Sequence, residues 1–194
     1  MSILALTSDT LIGTAAAGNI EYNGQFFGTD SNASRAQLQR IVRATAVAST
    51  SGTSIDFTGI PAWVDRITVM FQGVSTNSTS NHLIQLGAGS VTSSGYTSLG
   101  LRLVNAASPS SASSTAGFIL GDIASASAAI VGHMVITNIS GNIWVASGYG
   151  SYGAGGFING GQISLGGTLD RVRITTVNGT DTFDAGSVNI IYEG

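Results

Sequence analysis

The sequence predicts an all-β chain: an antiparallel β-sandwich or jelly-roll-like domain with an N-terminal arm that contains a β-hairpin. Three observations predict it. Short runs rich in branched and aromatic residues recur along the chain, roughly 10 to 20 residues apart, with Gly, Ser, Asn or Pro clusters between them. No apolar pattern of period 3.6 is sustained anywhere. Near the start, Ile20-Glu21-Tyr22 and Gln25-Phe26-Phe27 flank Asn23-Gly24, the pair of residues that a two-residue type I′ hairpin turn requires.

The elements follow in order. A hairpin as small as 20–27 is marginal by itself in water, so Ile20, Tyr22, Phe26 and Phe27 are expected to pack on the rest of the chain, on a second copy or on another protein. Residues 31–43 hold the one helical candidate, where Ser34 and Gln37 weakly imitate a capping box; extended structure there is equally compatible. Strands are expected over 66–71, 81–86, 99–104, 117–120, 129–138, 142–147, 161–165, 171–176 and 187–192. In the last of these Val188, Ile190 and Tyr192 share one face and Ser187, Asn189 and Ile191 the other. Residues 138–142 read as a hairpin loop. Three stretches read as longer loops: 74–80 and 104–115, which are polar and small, and 148–157, where glycines alternate with Tyr149, Tyr152 and Phe157. These three aromatics are the candidate receptor contacts, because tyrosine offers a large surface with a polar tip; packing on a neighbouring subunit is the plainer reading. Trp63-Val-Asp-Arg66 and Thr168-Leu-Asp-Arg171 share a pattern that either marks equivalent strands in two halves of a sandwich or is an ordinary charge pair at a strand start.

At 194 residues the chain fits one domain plus an arm; the division expected is an arm over 1–43 and a β domain over 44–194. Charged residues make up 9%, mean hydropathy is +0.31, and all seven basic residues are arginines. A surface of Ser, Thr, Asn and Gly suits a chain packed against copies of itself better than a monomer, which depends on net charge for solubility. The net charge of −3 speaks against nucleic acid as a partner. Arg35, Arg40 and Arg43 lie close together and are expected to pair with carboxylates across an interface. Absence of cysteine removes disulfides, thiolate metal sites and cysteine nucleophiles. No run of about 18 apolar residues occurs, so no membrane insertion is expected, and the opening Met1-Ser-Ile-Leu-Ala-Leu6 is not expected to act as a signal peptide.

Chemistry is sparse. His82 and His133 fall inside expected strands without a third convergent ligand, so they read as ordinary strand histidines, with an ion on a symmetry axis as a remote option. Asp181 and Asp184 form the closest loop carboxylate pair, read as partners of turn backbone; a glycan-cleaving pair is the remote alternative. No metal, no cofactor and no catalytic residue is expected, and the chain is read as not an enzyme.

The small-residue lead-in Ala15 to Gly18, followed by Ile20, Glu21, Tyr22, Asn23, Gly24 and Phe27 and then by Thr29, Ser31, Ser34 and Arg35, resembles a short N-terminal module of tailed-bacteriophage fibre and tail proteins. That module usually has Pro among the small residues, where this chain has Ala. The ending Thr182-Phe-Asp-Ala-Gly-Ser-Val-Asn-Ile-Ile-Tyr192 resembles a closing strand common in the C-terminal β domains of that group. The resemblance implies a virion protein made in the host cytoplasm: a short homotrimeric tail fibre or appendage used in host attachment. Ile20, Tyr22, Phe26, Phe27 and Arg35 would then make subunit or virion contacts, with other tail or capsid proteins and a host-surface glycan as partners. A capsid decoration protein or head fibre with a purely structural role is the alternative.

Overall fold

The structure is a computed structural model that describes residues 17–23, 25–104, 108–123, 125–153 and 155–194. Among them the chain is all-β, without a helix. Its strands are β1 (Ile20–Tyr22), β2 (Phe26–Thr29), β3 (Arg35–Gln37), β4 (Ile41–Arg43), β5 (Val47–Ala48), β6 (Ile55–Thr58), β7 (Arg66–Thr76), β8 (His82–Ala88) and β9 (Ser90–Val91). They continue with β10 (Thr97–Val104), β11 (Ser110–Ser114), β12 (Phe118–Ile119), β13 (Ile130–Ser140), β14 (Ile143–Tyr152), β15 (Gly155–Ser164), β16 (Arg171–Thr176) and β17 (Phe183–Glu193).

The chain forms two compact units, up to Arg40 and from Ile41. Residues 41–43, assigned to the arm from sequence, therefore belong to the larger unit: β4 pairs with the end of β17, Ile41 opposite Glu193 and Arg43 opposite Ile191. The helical option for 31–43 is replaced by β3 and β4.

In the smaller unit β1, β2 and β3 form a three-stranded antiparallel sheet. The hairpin is present with a shifted register. Tyr22 pairs with Phe26 and Glu21 with Phe27, so residues 23–25 connect the strands in place of the expected two-residue turn. Gly24 itself, like Ala15 and Ala16, lies outside the described residues. A one-residue shift exchanges faces. Phe26 now shares a face with Tyr22, their rings 4.9 Å apart, and Phe27 shares one with Glu21.

The larger unit is an antiparallel sandwich. One sheet runs β11-β10-β15-β14-β13-β7-β17-β4 with β5 also on β17, and the other runs β12-β8-β16-β6 with β9 on β8. Period-2 alternation turns Ile67, Val69 and Phe71 of β7 and Val188 and Ile190 of β17 inward. Met134, Trp144, Phe157 and Ile163 join them from the neighbouring strands. Across the gap they meet Phe57, Ile84, Leu86, Phe118, Val172 and Ile174 of the smaller sheet in one continuous core. The two similar segments start a central strand in each sheet: Val64 and Leu169 are both buried beside the starts of β7 and β16.

Eight of the nine expected strand runs lie wholly or largely in strands and 117–120 holds only the two-residue β12, but the expected loops are shorter than the sequence suggests. Residues 74–76 continue β7, 110–114 form the edge strand β11, and 148–152 and 155–157 are paired halves of β14 and β15; residues 105–107 and 154 lie outside the described set. Glycine is what makes the last case a strand. A Cβ at Gly150 would fall 2.5 Å from the Phe157 ring, and one at Gly161 would fall 2.9 Å from Phe118. The rings lie on bare backbone, an arrangement that restores the packing a glycine strand otherwise lacks.

β7 and β17 both bend at a paired irregularity. Gly73 and Gly186 have φ of +64° and +90°, and the register shifts on either side of Ala185. A Cβ at Gly186 would lie 2.4 Å from the carbonyl carbon and oxygen of Gly73. Replacing Gly186→Ala therefore combines a left-handed backbone with a backbone clash, and should destabilise the fold by about 2 kcal/mol or more. Urea unfolding reads this directly; a midpoint equal to that of the parent chain would contradict the bulge geometry.

Candidate functional site

Sheet direction divides the larger unit into two ends. β4 begins beside the last residues of β17 and the first of β7, so the chain enters at the end marked by Ile41, Glu193 and Arg66. The opposite end gathers the connections 77–81 and 177–182 with the strand ends at Val104, Ile119, Ile130, Tyr152 and Gly155, because β7, β10 and β14 finish there and β8, β13, β15 and β17 start there. The three stretches singled out from sequence thus converge on one end, although most of their residues are strand.

Polar side chains tie these loops together. Asn178 Oδ1 accepts from Thr180 N at 3.0 Å, Asp181 N at 3.2 Å and Thr176 Oγ1 at 2.9 Å. Asp181 accepts from Ser80 N at 2.9 Å, Asn77 Oδ1 from Thr182 N at 3.0 Å and Asn81 Oδ1 from Ile123 N at 2.7 Å. Asp184 accepts from the Ser75 hydroxyl. Asp181 is occupied in holding turn backbone, as its loop context suggests, whereas Asp184 lies in β17 and its partner is a side chain of β7.

His82 lies beneath this network. It is 3% exposed, neither ring nitrogen has a hydrogen-bond partner, and its ring is 6.1 Å from that of Phe183. Burial pushes its pKa down to about 4, against the opposing pull of the Asp181 carboxylate. The two histidines do not converge: His133 is on the outer face of the large sheet, its ring 4.7 Å from Tyr149 in an edge-to-face contact. Among the described residues no group of three His, Cys, Asp or Glu is placed to hold a metal ion.

The candidate receptor aromatics separate. Tyr149 is 62% exposed, whereas Tyr152 and Phe157 are 9% and 1% exposed and belong to the core. The correction follows from alternation: Tyr152 and Phe157 occupy inward positions of β14 and β15, and Tyr149 an outward one. Tyr149 stands on a sheet face, not on a loop.

That outer face was not legible in sequence as a unit. Register aligns Leu101, Ile158, Tyr149, His133 and Met70 across five neighbouring strands. Leu99, Leu103, Tyr149, Ile158 and Val131 are each more than 40% exposed. Its sequence signal was the second, outward-facing set of apolar residues in the strands, hidden because each strand also carries an inward set.

In the arm, polarity is inverted. Glu21 and Thr29 are the buried residues among those described, while Ile20, Phe26 and Leu38 are 71%, 45% and 49% exposed. Tyr22 and Phe27 are half-buried. Arg35 reaches Glu21 at 2.7 Å, so a carboxylate of the same chain, not one across an interface, takes this arginine.

Two tests follow. Phe157→Ala should cost about 3 to 5 kcal/mol in urea unfolding, clearly more than Tyr149→Ala, whose ring lies outside the core of its own subunit; equal effects would contradict the assigned faces. His82 is neutral in the fold, and an unfolded histidine takes up a proton near pH 6.5. Its contribution to stability is full above that value and lost as pH falls towards about 4, a loss of about 3 kcal/mol. His82→Leu should remove that part of the acid sensitivity, measured as the difference in unfolding free energy between pH 7 and pH 4.5.

Compared with protein-family models, with curated proteins and with solved structures, the chain matches none, so its function has to be read from its own geometry.

Proposed function

We propose that the chain is a non-enzymatic structural protein of a bacteriophage virion, a short homotrimeric tail fibre or appendage. The arm assembles the subunits or joins them to the particle, and the loop end of the sandwich faces the host surface, where a glycan is the expected ligand. The observation that carries this reading is the inverted arm. A three-stranded sheet that buries a glutamate and a threonine while exposing Ile20, Phe26 and Leu38 leaves large apolar side chains in water, and covering them with another chain removes that cost. Internal pairing of Arg35 with Glu21 leaves the apolar residues, not the charges, to make the contact.

The sandwich supports the same division of labour. The body's chain begins at Ile41, at one end of the sheets, and the hydrogen-bonded loops lie at the other. The count of three rests on the resemblance of residues 15–35 to the fibre module, since symmetry of this kind is not set by composition.

Sedimentation or native mass of the full chain should give three copies, and deleting residues 1–30 should weaken assembly or particle attachment. A stable monomer at micromolar concentration that still joins particles without its arm would falsify the proposal. Imaging the labelled protein on particles separates the two virion roles: label on the tail fits attachment, and label on the capsid replaces it with decoration.

A further inference from the structure

We infer that the outer face of the large sheet, from β10 across β15 and β14 to β13, is a contact surface for a second copy of this chain. The inference rests on the self-assembling reading above but concerns a different surface from the arm.

The face is apolar where a monomer would be charged. Leu99, Leu101 and Leu103 of β10, Ile158 of β15, Tyr149 of β14 and Val131 of β13 all point outward. No Asp, Glu, Lys or Arg of these four strands shares that side; Arg102, their one such residue, occupies the alternate, inward-side position beside Leu101 and donates to Ser110 Oγ at 3.0 Å. The outside of the smaller sheet is the reverse. It carries Arg173 bound to Asp56 through two hydrogen bonds, with Gln85 and Thr175 as neighbours. One outer face of the sandwich thus carries a charge pair on its strands, and these four strands of the other carry no charge on their outer side.

The missing charge selects the occupant. A partner with an ordinary charged surface would lose hydration of its charges against this face and find no counter-charge. A second copy offers an equally uncharged surface, and the shapes agree. Leu99, Leu101, Ile158, Asn159 and Gly160 line a shallow groove of about 320 Å³, and Tyr149, on the strand next to Ile158, projects beside it. Projection and groove on one surface are what a self-complementary contact needs. The extent is modest. Four strands at about 4.8 Å and seven residues at about 3.3 Å span roughly 440 Å² in projection. The accessible area of such a corrugated face exceeds its projection, which places it in the range of small interfaces, about 600 Å² or less per partner.

Residue-resolved iodination of tyrosine in the full chain tests this. In the assembled protein Tyr149 should react several-fold more slowly than in Ile158→Glu or, should that variant fail to fold, in Leu99→Glu, each placing a charge on the face. Circular dichroism and the urea midpoint check that the variant is folded. Tyr149 reacting equally fast in parent and variant, while the parent is an oligomer by native mass, overturns this inference and leaves assembly through the arm intact. Protection of Tyr149 that persists after deletion of residues 1–30 supports the face and counts against the arm. A parent chain that is monomeric with freely reacting Tyr149 overturns both.

Discussion

Two aromatic rings resting on bare backbone set the spacing on which the sandwich depends. Phe157 lies over Gly150, and Phe118, from the smaller sheet, lies over Gly161. Any side chain at either glycine would hold the rings off by the width of a methyl group, and cores packed to crystal-like density do not absorb such a shift locally. Because Phe118 sits at the edge of one sheet and Gly161 in the middle of the other, the contact also fixes where the sheets overlap. Trp144, Ile163 and Met134 then fill the volume that this placement leaves.

The loop end is held by a different kind of force. Its connections anchor Leu120, Ile123 and Ala128 in the core and are otherwise ordered by side chains that replace water for turn backbone: Asn178 for the 178–181 turn, Asn77 for Thr182, Asn81 for Ile123. Such bonds contribute about 1 kcal/mol each but position backbone closely. His82 shows the limit of the arrangement. Its ring is enclosed with no partner for either nitrogen, which holds it neutral and links the firmness of this end to pH, as burial of any titratable ring does.

How much of this was legible depended on which residues carried the signal. Strands built from Ile, Val, Leu and Phe, such as 66–71 and 171–176, were readable because propensity and alternation agree there. The Gly-rich stretch 148–157 was not, since glycine lowers strand propensity in any local reading and the compensating ring of Phe157 lies on the partner strand. β11 has only serines and an alanine and is a strand because β10 pairs with it. In the arm, Asn23 located the hairpin but not its register, and the one-residue difference changed which phenylalanine faces Tyr22. The candidate site divided in the same way: alternation from Ile158 and Trp144 would have assigned Tyr149 outward and Tyr152 and Phe157 inward, had the stretch been read as strand.

The absence of lysine acquires a structural meaning from the two outer faces. Charged side chains on exposed strands normally prevent unwanted association, and this chain keeps most of its arginines and aspartates on the smaller sheet, in loops and at strand ends, with Arg102 turned to the inner side of β10. Arg173 with Asp56 and Arg171 with Asp170 guard one surface, while Arg66 with Glu193 closes the end of the other. The four central strands of the large sheet, with Tyr149 above them, lack this protection on their outer side. A face left so through four neighbouring strands is not an accident of one substitution, because every outward position would have had to escape charge independently. The inferred contact with a second copy accounts for this, since in such an assembly the face would meet protein in place of solvent.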